Sequence, residues 1–65
     1  MEVAKLDSNN IVVADIIVKT EKMLSADGSV TQASCQTYCE SMFGSGTYIP
    51  LCISNNEPNM GWLWD

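Results

Sequence analysis

A change of composition at Gly28 constrains this chain more than any motif in it. The residues up to Gly28 hold all three lysines, Lys5, Lys19 and Lys22, but no aromatic residue and no cysteine. Residues 29–65 hold every cysteine (Cys35, Cys39, Cys52), every aromatic (Tyr38, Phe43, Tyr48, Trp62, Trp64) and both prolines, and no basic residue. Eight of the eleven Ser and Thr residues also lie there. The chain therefore reads as two segments, a leader-like amphipathic segment 1–28 and a Cys/Ser/Thr/aromatic-rich segment 29–65. With 65 residues it is one small domain at most. A domain of that size buries only about 60% of the surface exposed by its unfolded form, so its stability is marginal without a staple or a partner.

In the first segment Ser8, Asn9 or Asn10 can cap a helix start. Val13, Ile16, Ile17, Thr20, Met23 and Leu24 then follow helical spacing, with Asp15, Lys19 and Lys22 on the other side and Gly28 as a stop. A strand from Ile11 to Thr20 competes with this helix, because the stretch is rich in β-branched residues. In the second segment the pattern predicts a helix over roughly Thr31–Phe43, capped by Ser29 or Thr31 and ended by Gly44. Thr47–Ile53 fits a short strand that Pro50 confines to a sheet edge. The fold class expected is small and mainly α, with two short helices and an irregular or short-β C-terminal tail.

Charge narrows the function classes. The net charge is −5, with no arginine and no histidine, which argues against nucleic acid and anionic membrane as partners. The longest apolar run, Ile11 to Val18, is interrupted by Asp15 and is far short of the roughly 20 residues that span a bilayer. No basic and apolar secretory pattern opens the chain, so the expected location is cytoplasmic as synthesised, with export possible after processing. The absence of histidine removes the commonest general base and metal ligand. Every lysine lies outside the cysteine-bearing half, so no positive group stands in sequence near a thiol to activate it. These observations point to a non-enzymatic protein without a cofactor.

Three cysteines cannot all pair within one molecule. The spacing C-x3-C-x12-C supplies three thiolates, with Glu40 or Asp65 as the nearest fourth ligand, and departs from structural zinc patterns; no metal is expected. Cys35 and Cys39 share one face of the predicted helix and are awkward disulfide partners. Cys52 with either closes a loop worth roughly 3 kcal/mol. Burial of all three as reduced, small apolar residues is the simplest alternative.

Each cysteine also follows Ser or Thr residues: Thr31 and Ser34 precede Cys35 and Cys39, and Thr47 precedes Cys52. Dehydration of those hydroxyls by a partner enzyme would create acceptors for thiolates and close thioether rings. In this layout the chain resembles a precursor of ribosomally synthesised, post-translationally modified peptides, most like the lanthipeptides. The resemblance implies a leader that docks on a maturation enzyme through Val13, Ile16, Ile17 and Leu24, and a core cross-linked at Cys35, Cys39, Cys52, Thr31, Ser34 and Thr47. Two other readings stand beside it. One is a self-associating structural protein with disulfides within or between copies. The other is an inhibitor-like binding module that presents Trp62, Trp64 and the Asp65 carboxylate to a protein target.

Overall fold

Within the run from Ile11 to Val18, Val12–Ile17 forms a strand, and this overturns the mainly helical fold expected from the sequence. The computed structural model describes residues 1–54 and 56–64. Its elements are strand β1 (Glu2–Leu6), strand β2 (Val12–Ile17), helix α1 (Gln32–Phe43) and strand β3 (Thr47–Pro50), with 3-10 turns at Thr20–Met23 and Leu51–Ile53. The strands make one antiparallel sheet in the order β2-β1-β3. Among the described residues there is one α-helix, not two, and none is long and apolar enough to cross a membrane.

The physical reason lies in the side chains. Val12, Val13, Ile16, Ile17 and Val18 are stiff at χ1 and lose more in a helix than on a pleated sheet. Asn10 lies at φ 65, a left-handed conformation that asparagine tolerates better than most residues. Asp7 completes the turn: its carboxylate accepts from the Asn9 and Ile11 amides at 2.8 and 3.0 Å. Ser8, Asn9 and Asn10, which suit a helix cap, thus lie in a β-hairpin turn instead.

A bulge gives the sheet two apolar faces. Val3 pairs with Ile16 and Lys5 with Ala14, but Leu6 pairs with Val12 across a register shift at Lys5/Leu6. Val13 is the extra residue, so Val12 lies on the face opposite Ile16. On the helix side, Val3, Val18 and Tyr48 pack with Met23, Cys35 and Cys39 as the buried core. On the other side Ala4, Leu6 and Val12 are also buried, and the C-terminal segment lies against Val12.

Helix α1 matches the sequence reading closely. Thr31 and Ser34 form a reciprocal capping box, with the Ser34 amide donating to Thr31 Oγ1 at 3.0 Å and the Thr31 amide donating to Ser34 Oγ at 2.9 Å. Gly44 ends the helix at φ 93, a conformation that costs glycine little. The helix also closes one sheet edge. Gln36 accepts from the Tyr48 amide at 2.8 Å and donates to the Gly46 carbonyl at 2.7 Å, while Gln32 donates to the Tyr48 carbonyl. Two glutamine side chains thereby satisfy outward backbone groups of β3 and blunt an edge that would otherwise invite pairing. Pro50 ends that same edge strand, in the position expected of a strand proline.

Candidate functional site

The C-terminal segment is bound to β2 through its backbone yet leaves its side chains outside. The Val12 amide donates to the Trp62 carbonyl at 2.9 Å, and the Gly61 amide donates to the Val12 carbonyl at 2.8 Å. Further along, the Trp64 amide donates to the Asn10 carbonyl at 2.8 Å, and Asn10 Nδ2 returns to the Trp64 carbonyl at 3.0 Å. Ile11 and Leu63 form an antiparallel bridge. The segment thus runs along the outer edge of β2 and is joined to it by one isolated bridge.

Despite this anchoring, Trp62 is 67% exposed and Leu63 64% exposed, with Met60 and Ile53 also open to solvent. Trp64 is half-buried. Trp62, Leu63 and Trp64, together with Val12, Glu57 and Asn59, line a cavity of about 230 Å³. Exposed large apolar side chains held on a fixed backbone are characteristic of protein contact surfaces. Asp65 lies outside the described residues.

Carboxylates border this strip. Glu2 and Asp15 lie diagonally across β1 and β2, since Glu2 pairs with Ile17 and Ala4 with Asp15. A side-chain hydrogen bond with Asp15 raises the pKa of the Glu2 carboxyl, helped by partial desolvation and by the charges of Asp15 and Glu57. The Met1 ammonium acts in the opposite sense and lowers it.

The other candidate residues are dispersed. Val13 and Ile17 are exposed, Ile16 is half-buried on the helix side, and Leu24 is exposed at a separate groove of about 620 Å³ beside Lys22, Ser25, Thr37, Tyr38 and Ser41. They do not form one helical docking stripe, because the segment that carries Val13, Ile16 and Ile17 is a strand whose neighbours point to opposite faces.

Cys35 and Cys39 face the core from consecutive turns of α1, with their sulfurs 4.0 Å apart. Burial, reinforced by Cys39, pushes the Cys35 thiol up to about 12, and burial likewise raises Cys39. Such thiols are poor nucleophiles. Cys52 is exposed on the 3-10 turn after β3, and all three cysteines are free thiols. Thr47 opens β3 on the surface, while Thr31 and Ser34 cap α1. Among the described residues no three potential ligands from His, Cys, Asp and Glu gather to hold a metal.

Gln32, Gln36 and the Glu2–Asp15 pair were not legible as a group from the sequence. The pair becomes predictable once 11–20 is read as a strand and placed beside β1. Comparison with family models, curated proteins and solved structures finds no match.

Proposed function

We propose that this chain is a non-enzymatic protein-binding module whose contact surface is the C-terminal strip carried on β2. The observation that carries this reading is the combination at Trp62 and Leu63. Their backbone is fixed by hydrogen bonds to β2, while their side chains stay about two-thirds exposed. A strip ordered before binding loses little further entropy when a partner covers it, so its apolar area is available for affinity. The buried, weakly acidic thiols of Cys35 and Cys39 favour a packing role over nucleophilic catalysis. In the folded domain Thr31 and Ser34 cap a helix and Cys35 and Cys39 fill the core, roles that their use as thioether reactants would remove. The net charge of −5 opposes close packing of copies.

The test is affinity capture from the cells that make the protein, with the intact wild-type chain and with Trp62→Ala/Leu63→Ala as bait. A partner retained by the wild type and lost with the double variant supports the reading. Capture that is the same for both baits excludes the strip as the contact surface. Intact mass of the chain from its source separates the peptide-precursor reading: each thioether ring removes one water, whereas a binding module keeps its full mass.

A further inference from the structure

The sheet has two outer edges, and most of their length is closed. Gln32 and Gln36 satisfy β3 at Gly46 and Tyr48, and the C-terminal segment covers β2 at Asn10–Val12. The alternation of antiparallel pairing identifies the stretch that is left. Tyr48 turns both its backbone groups outward to the glutamines, so its partner Lys5 turns its own toward β2 and bonds to Ala14. Ile16 is in phase with Ala14, and the bond from the Val18 amide to the Met1 carbonyl at 2.8 Å keeps the same phase. Asp15 and Ile17 therefore point their N–H and C=O groups away from the sheet, and among the described residues no backbone bond reaches them.

The side chains along this stretch suit one kind of occupant. Ile17 is 77% exposed, more than any other large hydrophobic side chain described. By register, Glu2 and Asp15 share its face, and the charges acting on Glu2 are Asp15, Glu57 from the C-terminal segment and the Met1 ammonium. Lys19 follows beyond the end of the strand, past Val18. A second copy fits poorly. Antiparallel pairing about Ile16 would set each Asp15 beside the other copy's Ile17 and gather both Glu2–Asp15 pairs into one acidic patch.

We propose that the open edge of β2 at Asp15–Ile17 takes an extended segment of a partner protein by strand addition. That segment carries basic side chains opposite Glu2 and Asp15, and an aliphatic one over Ile17. Backbone bonds supply registration and the alternate side chains supply selectivity. The proposal rests on the binding-module reading and extends the contact surface along β2 from Trp62 to Ile17.

The experiment titrates the isotopically labelled full chain with a short capped peptide in which lysine and valine alternate at every second position with threonine between them, so that one face of the added strand carries both. A parallel titration uses the same peptide N-methylated at alternate backbone nitrogens. Expected are amide shifts centred on Asp15 and Ile17, weakened by salt. Affinity should fall by at least about tenfold with the methylated peptide, and comparably in Ile17→Lys, which alters an exposed side chain and leaves the fold intact. Trp62→Ala should not change the peptide affinity, so failure here and failure of the Trp62-dependent capture are separate results. Equal binding of both peptides, shifts confined to Trp62 and Leu63, or no shifts at all would overturn strand addition. Dimerisation of the free chain through Asp15–Ile17, seen as doubled mass in light scattering and abolished by Ile17→Lys, would overturn the choice of partner.

Discussion

Replacing Gln36 by alanine tests the helix-to-edge closure on which the description of the sheet depends. Gln36 accepts from the Tyr48 amide at 2.8 Å and donates to the Gly46 carbonyl at 2.7 Å. A net hydrogen bond contributes about 0.5–1.5 kcal/mol, so the loss of two costs about 1–3 kcal/mol. The upper end applies if water does not reach the part-buried Tyr48 amide. A 65-residue domain has roughly 3–10 kcal/mol in total, so the variant removes a large fraction of the stability. At about 4–8 °C per kcal/mol for a domain this small, Tm falls by roughly 8–16 °C for a loss of about 2 kcal/mol. Urea and thermal unfolding followed by far-UV circular dichroism measure the change. Gln36→Glu retains an acceptor for Tyr48 but loses the donor to Gly46, and is expected between wild type and Gln36→Ala. A Gln36→Ala midpoint equivalent to within about 0.5 kcal/mol of wild type, the scatter of an ordinary surface substitution, would refute the edge closure.

Further outcomes follow from four other sites. Thr31→Ala removes one half of the capping box and should cost about 1 kcal/mol in the same assay. Cys35→Ser places a hydroxyl among Val3, Met23 and Tyr48 and should destabilise by about 1–3 kcal/mol, whereas Cys52→Ser, on the surface, should change little. Hydrogen bonds from Ser25 and Ser29 lower the Asp27 carboxyl to about 2. Its stabilising effect is therefore present above the unfolded value and lost as pH falls through about 2, so Asp27→Asn should narrow the stability difference between pH 7 and pH 2, read from urea midpoints at each pH. Glu2 has the opposite sign: its pKa is raised, so its favourable contribution holds at low pH and fades as pH rises through the folded value. Glu2→Gln should remove that limb of the same pH series.

The second half of the fold was more legible than the first, and the reason is local. Helix α1 carries its own signals: a Thr31–Ser34 cap, the glycine stop at Gly44 and interior residues compatible with a helix. Pro50 likewise announced an edge strand. The first half carried two conflicting periods. Val13, Ile16, Ile17, Met23 and Leu24 fit a helical stripe, whereas the β-branched content fits a strand, and the tertiary partner decides between them. That partner is β1, whose Val3, Ala4 and Leu6 are buried on both faces and which offers pairing on both sides. The bulge at Val13 obscured the strand period further, because it reverses which face Val12 occupies. At the candidate site the paired tryptophans were visible in sequence, but their anchoring to Asn10 and Val12 depends on contacts roughly fifty residues apart. No local pattern encodes such contacts.

Amide hydrogen exchange on the folded chain tests the central claim most directly, because it reads each stretch of the β2 edge separately. A C-terminal strip docked on an edge that remains open beyond it predicts protected amides at Val12, Trp64 and Tyr48, with Asp15 and Ile17 exchanging as fast as exposed loop amides. Unprotected Val12 and Trp64 would mean that the strip is not held on β2. Protected Asp15 and Ile17 would mean that the edge is already closed. Either result would contradict the account.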